Sequence, residues 1–167
     1  VAAGERYDVE SICAPTSSHA KDLEVVLALK PKLVFCEKPL TPSRQQSTIE
    51  VERYRRTNVL LAVNYTRRWD PAVGDLRAAI EEKRWGELRA VTGYYNKRLV
   101  NNGTHMLDLL LLLLGPLSVR AAGAPVEDFV PEDSSVPVWL HSKEQMPVQL
   151  ACGDAGEQCC HVLGRHC

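Results

Sequence analysis

The sequence has no excess of charge of either sign. Its 20 Lys and Arg residues stand against 21 Asp and Glu residues, which gives a net charge of -1 over 167 residues. Proteins that bind nucleic acid or an anionic membrane through their overall field need a basic surface. We therefore predict neither of these partners.

Long apolar runs are missing as well. The longest, Leu109 to Leu114, is far shorter than the roughly 20 residues that an α-helix needs to cross a bilayer. The composition, 45% hydrophobic and 25% charged, is that of an ordinary globular protein. We therefore predict a globular chain that does not enter a membrane.

The six cysteines are unevenly placed. Cys13 and Cys36 lie in apolar, strand-like runs, where we expect them to pack as small hydrophobic side chains. The spacing of the others lacks the regular C-x2-C pairs of zinc sites, so we predict no metal site. We expect reduced thiols and a cytoplasmic location. The remaining four cysteines are Cys152, Cys159, Cys160 and Cys167.

The first part of the chain alternates strand and helix patterns. Short apolar runs bounded by turn residues predict strands, and apolar residues at helical spacing predict the helices between them. Two successive strand-helix-strand units imply parallel strands covered on both faces. The predicted strands are Val9–Cys13, Leu33–Cys36 and Val59–Asn64; the helices run from Ser17 or Ser18 to Leu29, and from Pro42, capped by Thr41, to Arg56.

The pattern changes near residue 66, where strands begin to outnumber helices. We therefore predict three segments: a first domain over 1–66, a second α/β domain over 67–154, and an irregular tail over 155–167. The elements predicted after residue 66 are helices from Asp70-Pro71 to Lys83 and from His105 to Leu114, and strands Leu88–Tyr95, Ser118–Ala122, Val136–His141 and Pro147–Cys152.

Polar side chains follow all three strands of the first domain. Each cluster alone reads as a solvated loop, but the carboxyl ends of parallel strands share one edge of a sheet, where ligands bind. Their convergence predicts a site. Pro39 also favours an extended conformation for Lys38. The clusters are Pro15-Thr16-Ser17-Ser18-His19, Glu37-Lys38-Pro39 and Asn64-Tyr65.

A second constellation surrounds His105. This histidine follows the predicted Asn102-Gly103 turn at a helix N-terminus, where the helix dipole lowers an imidazole pKa and suits a general base. A polar residue that only helps to cap the helix is the alternative. For Asp108, one turn further on, we favour a simple interaction with the helix dipole.

Taken together, these motifs resemble the Gfo/Idh/MocA oxidoreductases. The resemblance rests on EKPL after an apolar strand, on PTSSH before it and on NGTHMLDLLLLLLG after it, with NYTRRWDP and WGEL between them. It extends from about Val9 to Gly115. The resemblance depends on the order and spacing of all these motifs, since EKP alone is a weak signal.

The resemblance implies a Rossmann domain followed by an α/β domain with an open, mostly antiparallel sheet that often forms oligomer contacts. It implies NAD or NADP as cofactor, a sugar-like substrate whose hydroxyl is oxidised or whose ketone is reduced, and a homo-oligomer. It also implies catalytic roles for Lys38 and His105, with Asn101 beside them. The cofactor contacts that it implies are Pro15, Thr16, His19, Glu37, Lys38 and Asn64.

Two departures from the family pattern bear on function. Asn101 stands where many members carry an aspartate, and an amide orients an imidazole without supplying charge. This leaves open a non-catalytic binding or regulatory protein derived from the same fold. No G-x-G-x-x-G occurs in the chain. We therefore expect an N-terminally truncated piece with the later half of the Rossmann sheet, an exposed sheet edge and exposed apolar surface.

Overall fold

The structure, a computed structural model, describes residues 6–126 and 133–153 and the backbone of 162–164. The chain divides into two units, Val1–Tyr65 and Thr66–Cys167. Within the described residues, no helix is both long and apolar enough to span a membrane.

The first unit contains a parallel sheet with two helices. Its strands β1 (Val9–Ile12), β2 (Leu33–Glu37) and β3 (Leu60–Asn64) lie in the order β1-β2-β3. Both pairings are parallel, as the alternation of strand and helix predicts. Helices α1 (His19–Leu29) and α2 (Arg44–Arg55) form the connections.

Apolar side chains from the strands and helices form the core of this unit. The Tyr54 hydroxyl, buried among them, donates a hydrogen bond of 2.8 Å to the Leu23 carbonyl and so ties α2 to α1. Burying each large apolar side chain contributes about 1.5–3 kcal/mol. The core consists of Ile12, Leu23, Val26, Val34, Cys36, Leu40 and Tyr54.

The two cysteines of this unit differ. Cys36 is buried, as predicted, but the packing predicted for Cys13 is wrong, because Cys13 is exposed. It lies just beyond the end of β1, and its Sγ is 3.3 Å from the Ser11 hydroxyl. The strand predicted to extend to Cys13 ends at Ile12.

The start of α2 also departs from prediction. Ser43, rather than Thr41, is the N-cap: its backbone is extended and its hydroxyl accepts a hydrogen bond from the Gln46 N–H at 3.2 Å. Thr41 instead donates to the Ser43 carbonyl at 2.8 Å and is buried. Pro42 therefore precedes the helix rather than beginning it.

The outer strands of the described first sheet expose apolar side chains. Val9 on β1 is 55% exposed and Leu60 on β3 is 68% exposed. Within the part of the chain that the structure describes, β1 and β3 each pair only with β2. This agrees with the exposed edge and apolar surface expected from the sequence.

The second unit builds a mixed sheet. Its elements are α3 (Pro71–Glu81), β4 (Val91–Tyr95), α4 (Thr104–Leu114), β5 (Leu117–Ala122), β6 (Val138–Ser142), β7 (Pro147–Cys152) and β8 (Val162–Gly164). The strand order is β5-β6-β7-β4-β8, with β4 and β7 parallel and the other pairings antiparallel. Helix α3 starts at Asp70-Pro71, as predicted, and the Asp70 carboxylate caps it by accepting from the Ala72 N–H at 2.9 Å.

Helix α4 packs its apolar face against this sheet. Met106 and Leu110 are almost completely buried and meet the chain at Gly93. A Cβ at Gly93 would lie 2.9 Å from Met106 Cγ, so glycine on β4 allows the helix to approach closely. The core comprises Val91, Tyr95, Met106, Leu109, Leu110, Leu113, Leu140, Val148 and Leu150.

Most of the tail predicted as irregular, 155–167, lies outside the described residues. Within it, however, Val162–Gly164 forms the short strand β8, antiparallel to β4. A strand of three residues is too short for an alternating pattern to predict it.

Candidate functional site

The first candidate cluster lies at the carboxyl ends of β2 and β3. Glu37 and Asn64 are the last residues of these strands, and the parallel register pairs them directly. The Asn64 side-chain amide donates a hydrogen bond of 2.7 Å to Glu37 Oε1. Both residues are half-buried. The structure thus brings together two of the residues predicted to contact a cofactor.

Lys38 follows Glu37 immediately, so it begins the loop that leaves this edge of the sheet. It is half-buried, and its peptide bond to Pro39 is cis. The loop continues through Leu40, which is buried in the core of the unit. A half-buried lysine at the carboxyl end of a parallel sheet is suitably placed to meet a ligand there.

The loop after β1 is also ordered by local hydrogen bonds. Pro15 is exposed and extended, and its carbonyl accepts bonds from the Ser18 N–H at 2.9 Å and the Ser18 hydroxyl at 3.0 Å. Thr16 begins the intervening 3-10 turn and is half-buried. Pro15 and Thr16 therefore lie at the carboxyl edge of the sheet, as predicted.

His19 is the first residue of α1 and is buried. Its side chain is only 1% exposed, and its two ring nitrogens lie 2.9 Å from the Pro39 carbonyl and 2.8 Å from the Ala14 carbonyl. The ring therefore faces the backbone of two loops. Almost none of the His19 surface is exposed, and the cofactor contact predicted for this residue stays a prediction.

Cys36 lies beside this imidazole, with its Sγ 3.7 Å from His19 Nδ1. Burial, together with the nearby charge of Glu37, raises the pKa of the Cys36 thiol to about 12. The thiol is thus protonated near neutral pH and is not a nucleophile.

In the second unit, Asn101 and His105 lie on one helical run. The segment Arg98–Gly103 is a π-helix that continues directly into α4. Asn101 is in the π-helical part, His105 is the second residue of α4, and both are half-buried. Short π-helical segments occur often at functional sites.

The predicted glycine turn before His105 is therefore wrong. Gly103 has helical angles, φ -59° and ψ -34°. A Cβ there would lie 2.8 Å from Tyr95 Cε2, so packing rather than a turn requires glycine. Because the helical run starts at Arg98, His105 is not in its first turn, and the helix-dipole argument does not apply to it.

A residue that the sequence reasoning missed caps this run. Asp133 accepts hydrogen bonds from the Val100 N–H at 2.8 Å and from the Asn101 N–H at 3.3 Å. The Ser135 hydroxyl accepts another from the Arg98 N–H at 3.1 Å. A carboxylate from a distant loop thus meets the backbone of Asn101. No local spacing in the sequence reveals this contact.

Asp108 is held by Arg68. Arg68 Nε donates to both carboxylate oxygens of Asp108, at 2.9 and 2.8 Å, and Nη2 donates to Oδ1 at 2.7 Å. The interaction with the helix dipole preferred from the sequence is therefore replaced by an ion pair. Asp108 lies one turn beyond His105, so the pair ties the segment before α3 to the helix that carries His105.

Comparison with known proteins identifies relatives among inositol dehydrogenases. No protein-family model matches the chain. Inositol 2-dehydrogenase of Rhizobium meliloti (strain 1021) is 33% identical over 144 residues, which cover 77% of this chain and 43% of that protein. The scyllo-inositol 2-dehydrogenase (NAD(+)) of Bacillus subtilis (strain 168) is 38% identical over 74 residues, 44% of this chain and 21% of that enzyme.

Solved structures show the same fold. A candidate myo-inositol dehydrogenase from Sinorhizobium meliloti 1021 superposes with a TM-score of 0.75 at 26% identity, covering 89% of this chain and 51% of the other. The 3-ketoreductase KijD10 from Actinomadura kijaniata, solved with NADP, gives a TM-score of 0.82 at 21% identity, covering 95% and 52%.

The chain spans about half of these structures and less than half of the inositol dehydrogenases. The chain is similar in sequence to inositol dehydrogenases, and it has a Rossmann-type parallel sheet followed by a mixed sheet. The chain belongs to the Gfo/Idh/MocA-like oxidoreductases.

Proposed function

We propose that this chain is part of an NAD(P)-dependent oxidoreductase that oxidises a sugar or cyclitol hydroxyl, or reduces the corresponding ketone. One observation carries the proposal: in a relative of inositol dehydrogenases, Glu37 and Asn64 are hydrogen-bonded at the carboxyl ends of parallel strands, directly beside Lys38. A solvated loop would not require this pairing.

The residues at this edge fit the nicotinamide end of a dinucleotide. Ligands of open parallel sheets bind outside the carboxyl ends of the strands. There Glu37, Asn64 and Lys38 offer hydrogen-bonding and charged groups, all half-buried. Pro15 and Thr16 would flank the same ligand from the loop after β1. The cofactor supplies the acceptor or donor of hydride, and the choice between NAD and NADP stays open.

The chain's own residues supply the proton chemistry. When a substrate C–H bond gives up hydride, the hydroxyl on the same carbon must lose its proton. In our proposal His105 accepts that proton, and the Lys38 ammonium stabilises negative charge that develops on the oxygen. Asn101, one helical turn before His105, orients the imidazole by hydrogen bonding and carries no charge. Reduction of a ketone uses the same groups in reverse.

Location and assembly are further proposals. The cysteine content favours a cytoplasmic location, and the family resemblance favours a homo-oligomer.

Cofactor binding is the first test. The chain has three tryptophans, so quenching of their fluorescence by NADH and by NADPH measures binding to the 167-residue chain. Absence of quenching at high concentration of both would contradict cofactor binding by this chain. Binding without turnover of inositols or related sugars would favour the alternative, a non-catalytic binding or regulatory protein.

Variants then test the proposed roles. We expect Lys38→Ala and His105→Ala to reduce turnover far more than cofactor affinity, because the groups removed act on the reacting oxygen. Lys32→Ala is the matched control, since Lys32 is exposed and pairs with Asp8 at the surface. Equal losses of affinity and turnover in the Lys38 and His105 variants would show that these residues are structural.

A further inference from the structure

The imidazole of His19 joins two loops that leave the same edge of the first sheet. Ala14 belongs to the loop after β1, and Pro39 belongs to the loop after β2. The ring lies between their carbonyl oxygens, at 2.8 Å from Ala14 and 2.9 Å from Pro39. The second contact spans 20 positions in sequence, so it holds together segments that are distant along the chain.

The chemistry of these contacts is specific to histidine. A carbonyl oxygen only accepts hydrogen bonds, so each contact requires a hydrogen on the ring nitrogen that faces it. The neutral ring meets one carbonyl, and the doubly protonated ring meets both. His19 is also the first residue of α1, so the helix fixes the position of its backbone. An apolar residue of similar size would leave both carbonyls without this partner.

The contact between His19 and Pro39 also affects Lys38, the neighbouring residue of the candidate site. The carbonyl that His19 contacts belongs to the residue directly after Lys38, whereas Glu37, directly before Lys38, is hydrogen-bonded to Asn64. Lys38 is therefore held on both sides: through Glu37 by a neighbouring strand and through Pro39 by a buried imidazole. When the backbone is fixed in this way, the long and flexible lysine side chain starts from a defined position.

We propose that His19 is a positioning residue, which clamps the Pro39 carbonyl to the Ala14 carbonyl and thereby fixes the backbone from which Lys38 reaches its ligand. The effect on catalysis rests on the proposed function. The clamp itself does not, because it is a property of the free chain.

Hydrogen exchange of the full chain, followed by mass spectrometry, tests the clamp without cofactor. We expect His19→Ala to accelerate exchange of the amides in 37–41 by about tenfold, the effect of losing one or two hydrogen bonds. His19→Gln keeps a donor, but its single side-chain nitrogen cannot face both carbonyls as the two ring nitrogens do, so its exchange should be intermediate. If His19→Ala does not fold, His19→Gln alone decides by the same criterion.

Val26→Ala is the control for general destabilisation. Val26 is buried on α1 in the same core, but it does not join the two loops. Exchange in the His19 variants and in this control is compared at concentrations of denaturant that equalise their global stability. Faster exchange confined to the His19 variants supports the clamp. The same exchange in Val26→Ala, or unchanged exchange in both His19 variants, overturns it.

Kinetics separate the clamp from the proposed function. If the chain turns over substrate, His19→Gln should lower kcat while changing cofactor affinity little, which is also the result expected of Lys38→Ala. Unchanged kcat, with Lys38→Ala strongly impaired, would overturn the positioning of Lys38. If Lys38→Ala itself has no effect, the proposed function fails, while the exchange experiment still decides whether His19 joins the loops.

Discussion

Arg68 donates three hydrogen bonds of 2.7–2.9 Å to the carboxylate of Asp108, which lies one helical turn beyond His105. Two guanidinium nitrogens take part, in the forked geometry that makes arginine–carboxylate pairs strong. The Asp108 side chain is 12% exposed and that of Arg68 is 41% exposed. The pair is thus intermediate between a surface salt bridge and a buried one.

We predict that Asp108→Asn lowers the free energy of unfolding by about 1–2 kcal/mol, between the values for exposed and buried pairs. The amide keeps the shape of the side chain but leaves the guanidinium without its counter-charge. Chemical denaturation measures the change. Glu81→Gln is the control, because it breaks the exposed Arg77–Glu81 pair and should cost less than about 0.5 kcal/mol. Equal losses would show that the Arg68–Asp108 pair contributes no more than a surface pair.

Ser43→Ala should destabilise the first unit by about 1 kcal/mol, because its hydroxyl caps α2 by accepting from the Gln46 N–H. Thermal or chemical unfolding measures this loss. Thr48→Ala removes another hydroxyl from the same helix at an exposed position and should change stability by less than about 0.5 kcal/mol. A larger loss in Thr48→Ala than in Ser43→Ala would be inconsistent with the cap.

The parallel sheet was predictable because its signals are local. Val34 and Cys36 lie in a short apolar run, α1 follows with helical spacing, and the next run repeats the pattern. Only a few topologies accommodate such an alternation. The ends of the elements were harder to predict, since Thr41 and Ser43 are both good caps. The Thr41 hydroxyl instead contacts the Ser43 carbonyl and the Ser47 hydroxyl, which leaves the cap to Ser43.

The candidate site was predictable only in part. Motif residues such as Glu37 and Lys38 stand out because they follow a strand directly. The contacts of Asp108 and Asp133 could not be predicted in this way. Arg68 lies 40 positions from Asp108 in sequence. Asn101 lies 32 positions from Asp133. Pairings over such separations depend on how the chain folds back, which hydrophobic periodicity does not encode.

Cysteine reactivity should separate the first unit's two thiols. Burial raises the pKa of Cys36 to about 12, whereas Cys13 is exposed. Since the thiolate is the reacting form, iodoacetamide at neutral pH should label Cys13 while Cys36 remains unlabelled in the folded chain. Peptide mapping by mass spectrometry distinguishes the two. Denaturant should abolish the difference, and equal labelling in the folded chain would contradict the burial of Cys36.

The raised pKa of Glu50 predicts that the stability of the chain depends on pH. Its carboxylate is buried on α2. Among the residues that the structure describes, its Oε2 has no hydrogen-bond partner, although the Arg53 guanidinium lies 3.3 Å away. Burial raises the pKa of Glu50 above its ordinary value of 4.5, Glu24 raises it further, and Arg53 opposes both. The folded state therefore holds this proton more tightly than the unfolded state does.

The sign of the effect follows from that difference. The contribution of protonated Glu50 to stability is fully present below its unfolded pKa and is lost as the pH rises through its raised folded pKa. We expect Glu50→Gln, which carries no charge at any pH, to gain stability relative to wild type as the pH rises from 4.5 towards neutral. Arg53→Gln should steepen the loss in the wild-type background, because it removes the charge that favours the carboxylate. Urea denaturation across this pH range measures both, and a Glu50→Gln advantage that is constant with pH would contradict the raised pKa.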